Sequence, residues 1–189
     1  MNAFDDARLV EFEIMKMALP FIGEHSMDGR FVVTDKGRLS LELQKLAGDV
    51  VFNHQTNGNL VCVEVKGERR WTGNLFLEVW SNRTRLTPGW LVTLRSDILL
   101  YGFLSGARSE AEPDFDTCPF YAMNLPKLQA WAFGHGGTPG RVWGFKEVVQ
   151  HRYQQLNETV GYVVPIPVIA EAIGMKTFAD LSRAKESAA

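Results

Sequence analysis

Hydrophobic and polar positions alternate with a period of two over residues 60–66, sending Val61, Val63 and Val65 to one side of an extended chain and Cys62, Glu64 and Lys66 to the other. Residues 49–52 form a second short apolar run headed by Asp49, and the stretch 53–59 between them holds Asn57-Gly58. Asn-Gly between two such runs predicts a β-hairpin, so residues 49–52 and 60–66 are read as antiparallel partners. Over residues 5–19 the period changes to that of a helix, with Leu9, Phe12, Met15 and Leu19 recurring, Asp5 or Asp6 at the N-cap and Pro20 as the stop.

Elsewhere the pattern predicts a short strand at 30–34, and Leu39, Leu41, Leu43 and Leu46 fit either a short helix or an extended segment. A polar turn at 67–70 leads to a third strand at 74–81 with Glu78 in its middle. Asp97 heads the apolar run 98–103, residues 105–119 read as a loop, and 120–124 as a strand. Pro126 opens a helix reaching about residue 133, because a missing N–H costs nothing in a first turn. Residues 145–155 read as a helix, 161–166 as a strand, and Pro167 as the start of a helix to 173, before a frayed tail at 182–189. The glycine-rich stretch 134–140 lacks the Gly-Lys-Ser/Thr ending of a phosphate loop and reads as a connection. The sum is a mixed sheet of about five strands with helices on either face, in the α/β or α+β range, forming one domain over residues 1–189.

Composition narrows the function. With 20 basic and 22 acidic residues the formal charge is −2, so no global positive field advertises a polyanion, and nucleic-acid binding has to be local. Apolar runs stop well short of the roughly 20 residues a membrane span needs, and the N-terminus carries charge, which leads to the expectation of a soluble, cytoplasmic protein. Cys62 and Cys118 offer neither a disulfide framework nor a zinc spacing, and His25, His54 and His135 fall in turns or loops without a ligand partner at helical spacing.

Candidate chemistry gathers at the hairpin. If Asp49 and Glu64 converge across neighbouring strands about 4 Å apart, they repel by roughly 4 kcal/mol at an effective dielectric of ~20, and a bound cation reverses that sign. Their oxygens, the Val65 carbonyl and several waters make the shell that Mg²⁺ prefers, and Mn²⁺ accepts the same donors. Lys66, two residues on, is placed to orient or deprotonate a water and to offset charge on a phosphoryl oxygen.

Asp49, followed after a hairpin by Glu64-x-Lys66, resembles the core of the PD-(D/E)xK nuclease superfamily, of restriction-endonuclease-like fold. Gly48-Asp49 stands in place of the literal Pro-Asp. The likeness extends through Thr72-Gly73-Asn74-Leu75-Phe76-Leu77-Glu78 to Pro88-Gly89-Trp90, Ser96-Asp97 and Leu99-Leu100-Tyr101, similar to small phage-associated and bacterial members. The resemblance implies an Mg²⁺-dependent endonuclease or other phosphodiester hydrolase acting on nucleic acid, with DNA favoured and a homodimer left open. It implies Asp49, Glu64 and Lys66 as the catalytic set, with Asp49, Glu64 and the Val65 carbonyl on the metal. An acid on the first helix can join such a cluster, which marks Glu11, and Glu78 is a further candidate for a second cation or its water shell.

Arg69-Arg70-Trp71 and Arg83-Thr84-Arg85 are the candidate phosphate clamps, with Trp71 able to stack on an unpaired base. Lys146, His151 and Arg152 would share one face of the helix read at 145–155. A rival reading is a catalytically inactive nuclease-fold module that binds nucleic acid or protein, since a fold does not determine its function.

Overall fold

The computed structural model describes residues 3–33, 46–104, 120–134, 142, 144–152 and 157–178. Helix α1 (Ala3–His25) is followed by β1 (Ser26–Val33), β2 (Val50–His54), β3 (Leu60–Glu68), β4 (Asn74–Asn82) and β5 (Thr87–Pro88). Then come α2 (Trp90–Thr93), β6 (Ile98–Phe103), β7 (Phe120–Asn124), α3 (Leu125–Phe133), β8 (Glu147–Arg152), β9 (Asn157–Pro165), α4 (Ile166–Ile173) and β10 (Lys176–Phe178). The chain expected as one domain is organised as two compact units interleaved in sequence. The first holds Met1–Trp71, Ser96–Met123 and Lys176–Ala189, the second Thr72–Arg95 and Asn124–Met175.

A six-stranded mixed sheet in the order β1-β2-β3-β6-β7-β10 builds the first unit, in keeping with the expected mixed α/β class. The hairpin of β2 and β3 is antiparallel, with Val50 opposite Val63 and Asn53 opposite Leu60. Its turn closes by Gly58 N–H to the His54 carbonyl at 2.8 Å, with Gly58 at φ 68°. Next to it β3 and β6 run parallel, Val63 beside Ile98 and Glu68 beside Phe103. A parallel pair needs a long crossover, and β4, β5 and α2 occupy that stretch of chain.

Helix α1 covers one face of this sheet. Val10, Ile14, Ala18, Phe21 and Ile22 are buried with Val50, Phe52, Val63, Val65 and Leu100. This is a different stripe from the one expected: Phe12 is exposed, and Met15 and Leu19 are only partly buried. The sheet decides the stripe, because Gly67 and Gly102 leave a groove into which Ile14 fits. A Cβ on Gly67 would lie 2.1 Å from Ile14 Cδ1, and one on Gly102 2.7 Å from Ile14 Cγ2. Nor does Pro20 end the helix, which continues to His25. A proline inside a helix forfeits a hydrogen bond and costs about 3 kcal/mol, and burial of Phe21 and Ile22 in the next turn offsets it. His25 is consequently a helix residue, its Nδ1 2.8 Å from the Phe21 carbonyl, rather than a loop residue.

The second unit holds an antiparallel sheet in the order β5-β4-β9-β8, with α2 packed on β4 and α4 on β9. Residues 147–152, expected within a helix, form strand β8: Val148 pairs with Gly161 and Val149 with Val160 of β9. The spacing of Phe145, Val148 and Val149 is helical, and the pairing with β9 overrides it in favour of extended backbone. The shared helical face proposed for Lys146, His151 and Arg152 is thereby lost. Helix α3 starts as expected, with Asn124 Oδ1 accepting the Lys127 N–H at 2.8 Å and Pro126 in the first turn. Strand β10 pairs with β7 and has no counterpart in the sequence reading. Leu39, Leu41 and Leu43, the loop at 105–119, most of the glycine-rich stretch and the tail at 182–189 lie outside the described residues.

Candidate active site at the diverging end of a hairpin

Strand β3 is paired with β2 only from Leu60 to Val63, while its pairing with β6 continues to Glu68. Beyond Val63, therefore, the edge that faced β2 opens. The chain enters β2 through Gly48, at φ 67°, in a left-handed turn. A Cβ there would lie 2.4 Å from the Val63 carbonyl oxygen and 2.7 Å from Ser96 Oγ, so the position requires glycine on both conformational and steric grounds. Proline, with φ locked near about −65°, cannot make this turn.

Asp49 follows from that turn. Its N–H donates to the Val63 carbonyl at 2.7 Å, and its Oδ2 accepts the Val65 N–H at 2.8 Å. The carboxylate thus occupies the place a strand backbone would take. N–H and C=O of one residue in an extended strand point to the same side, so the Val65 carbonyl shares the open edge with the Asp49 carboxylate. At 3% exposure Asp49 is among the few buried charged residues, a class rarely buried without partners.

Glu64, 5% exposed, and Lys66 lie one period of two apart on the same face, with Glu64 Oε1 and Lys66 Nζ 2.6 Å apart. Lys66 Nζ also lies 3.2 Å from Glu11 Oε1 on α1. Lys66 thus bridges Glu64 of its own strand and Glu11 of the first helix, while Asp49 is held at the adjoining strand edge by the Val65 N–H. Burial on its own would push the Lys66 amine down, but the opposing charges, Glu64 foremost and then Glu11 and Asp49, hold it well above the ordinary lysine range. The Lys66 ammonium is thereby held between the Glu64 and Glu11 carboxylates.

Two further side chains extend the same face. Glu68 continues the period begun by Glu64 and Lys66, and its carboxylate accepts the Tyr101 hydroxyl, whose residue sits in register with Lys66. The repeat Glu64-x-Lys66-x-Glu68 was visible in the sequence as a third charged position of one strand face; Tyr101 had no local signal, since only the parallel pairing with β6 brings it there. Asp97 has a backbone role: its Oδ2 accepts the Cys62 N–H at 2.8 Å and its N–H donates to the Cys62 carbonyl at 2.9 Å, extending the ladder before β6 begins. Burial, with Asp97 adding to it, pushes the Cys62 thiol up.

Other expected residues fall elsewhere. Glu78 is on β4, in the second unit, where Gly89 packs so closely that a Cβ on it would lie 2.6 Å from the Glu78 carbonyl. Arg69, Arg70 and Trp71 are exposed just beyond β3 in the first unit. Arg83 and Arg85 belong to the second unit, and the Arg83 guanidinium is engaged with Glu147 at 2.8 Å. Arg85 is exposed, and its backbone N–H donates to Asn82 Oδ1 at 2.9 Å.

The donor chemistry of the open edge fits a hard divalent cation. No three acidic, histidine or cysteine side chains close into a cage among the described residues. A magnesium-type ion, however, keeps several waters and needs only one or two protein carboxylates, the number that Asp49 and Glu64 would offer. The chain matches no family model, no curated protein and no solved structure. No helix among the described residues is long and apolar enough to cross a membrane.

Proposed function

We propose that the chain is a divalent-metal-dependent phosphodiesterase of PD-(D/E)xK type that hydrolyses nucleic acid, with DNA the favoured substrate. The observation that supports this reading is that two buried carboxylates flank one short stretch of β3: Asp49 on the Val65 N–H and Glu64 paired with the Lys66 ammonium. Buried charge clusters are expensive to maintain and concentrate at functional sites. Asp49, Glu64 and the Val65 carbonyl would hold Mg²⁺ or Mn²⁺. The cation supplies Lewis-acid polarisation of a phosphoryl group and activation of water.

The protein's own contribution is positional and electrostatic. The Val65 N–H fixes the Asp49 carboxylate through one of its oxygens. Glu11 and Glu64 hold the Lys66 ammonium between them, where it offsets negative charge developing on a phosphoryl oxygen. Strand β3 pre-orders Glu64 and Lys66 at no further conformational cost, since its other face is sealed by α1.

In the test, wild type should cleave DNA with Mg²⁺ or Mn²⁺, and Asp49→Ala, Glu64→Ala and Lys66→Ala should lose that cleavage while keeping the wild-type circular-dichroism spectrum. Equal cleavage by wild type and Glu64→Ala removes the proposal.

A second reading is favoured by one feature: the Glu64–Lys66 pair at 2.6 Å and the Asp49–Val65 bond at 2.8 Å make the cluster self-satisfying. On that reading the chain is a nuclease-fold module that binds nucleic acid or protein without cleaving. Calorimetric titration with Mn²⁺ separates the two, because only a metal site gives heat that disappears in Glu64→Ala.

A further inference from the structure

The sheet face that carries Glu64 and Lys66 continues as a row of buried aromatic side chains. Parallel pairing sets Tyr101 beside Lys66 and Phe103 beside Glu68. The Tyr101 and Phe103 ring centres are 5.5 Å apart, and Phe103 meets Tyr121 of β7 edge-on at 6.1 Å. Tyr121 is buried, and its hydroxyl oxygen accepts the Trp71 Nε1–H at 3.2 Å. Trp71 itself is 53% exposed. An indole that merely anchored the chain would bury its faces; here its polar edge is tied down from behind while over half of the residue meets solvent. Pinning removes the rotamer entropy that a ligand would otherwise have to overcome.

We propose that Trp71 is a nucleobase-stacking platform, held in place by Tyr121, that selects single-stranded nucleic acid or an unpaired end over continuous duplex. This deepens the phosphodiesterase reading and rests on it for the position of the backbone. A base inside a duplex has both faces covered by its neighbours, so a flat exposed ring gains a partner only from an unstacked base. Arg69 and Arg70, the two exposed residues before Trp71, provide the charge complementarity for the phosphates on either side of that base.

The test uses the full chain in EDTA, so that binding is read without cleavage, and follows anisotropy of a labelled oligothymidylate and of a blunt duplex of equal length. Wild type should prefer the single strand by at least about tenfold, and Trp71→Ala should lose at least about fivefold of single-strand affinity, the lower end of what one stacked base contributes. Trp71→Phe, which keeps a ring but loses the N–H held by Tyr121, should fall between wild type and Trp71→Ala, and duplex binding should not change in either variant. Equal affinity for the two forms, no single-strand binding, or a Trp71→Ala variant that binds like wild type overturns the platform. The two proposals fail separately. Absence of Mg²⁺-stimulated cleavage with Trp71-dependent binding intact sinks only the hydrolase; cleavage indifferent to Trp71 and to strandedness sinks only the platform.

Discussion

The Asp49 carboxylate accepts the Val65 N–H at 2.8 Å, so a side chain completes the ladder of β3 where its partner strand ends. Two consequences follow from that one bond. It fixes a buried charge at a strand edge, and it holds that charge beside Val65, whose two chain neighbours, Glu64 and Lys66, form an ion pair.

Removing the ammonium should expose how costly this cluster is. Lys66→Met leaves Glu64 buried without its closest counter-charge and should destabilise the fold by roughly 3–5 kcal/mol, while Glu64→Gln with Lys66→Met should recover most of that loss. The sign with pH is set by the direction of the Lys66 shift. A lysine held above its ordinary range contributes its stabilisation in full below that range and loses it only as pH rises through the folded value. Urea unfolding at pH 7 and pH 9 should therefore give the same Lys66→Met loss, and a much smaller loss at pH 9 would contradict the assigned electrostatics.

Gly48 should tolerate no side chain. Gly48→Ala combines the left-handed backbone penalty with a clash against the Val63 carbonyl and should cost at least about 2 kcal/mol, and Gly48→Pro should cost more. Thermal unfolding of both variants checks it; a Gly48→Pro variant as stable as wild type would mean the turn into Asp49 has a different geometry.

The groove for α1 predicts a compensating pair. Gly102→Ala overpacks Ile14 and should lose about 1–3 kcal/mol, and combining it with Ile14→Val should restore part of the loss. Strict additivity of the two substitutions in urea melts would place Ile14 elsewhere than over Gly102.

In the second unit, Leu86 adopts φ 53° and is 71% exposed. Asparagine takes this conformation with less strain, and no buried contact is at stake, so Leu86→Asn should stabilise by roughly 0.5–1 kcal/mol. An unchanged or lower melting temperature would count against the left-handed turn.

Cys62 should react slowly with alkylating agents, because burial first and Asp97 second raise its thiol pKa and lower the thiolate fraction at any given pH. Asp97→Asn removes the charge yet keeps an oxygen for the Cys62 N–H, so iodoacetamide labelling at pH 8, in a Cys118→Ser background, should speed up. A rate that does not change would leave burial as the sole cause.

What was legible in the chain was local. Alternating valines and an Asn-Gly turn are enough to specify the β2–β3 hairpin, and Pro126 after Asn124 is enough to start α3, because each signal acts over a few residues. The period of two also put Glu64 and Lys66 on one face, whereas the 3.2 Å approach of Glu11 to Lys66 depends on how the first helix packs. Tertiary packing decided the rest. It carried α1 through Pro20, where burial of the next turn offsets the roughly 3 kcal/mol a helical proline costs, turned Ile14 rather than Phe12 toward the sheet, and made residues 147–152 a strand, since cross-strand pairing outweighs the fraction of a kcal/mol per residue by which other local propensities differ. It also separated Glu78 from the sheet that carries Asp49 and brought Tyr101 beside Lys66. Periodicity says which side a residue faces; only the order and register of strands say what it faces.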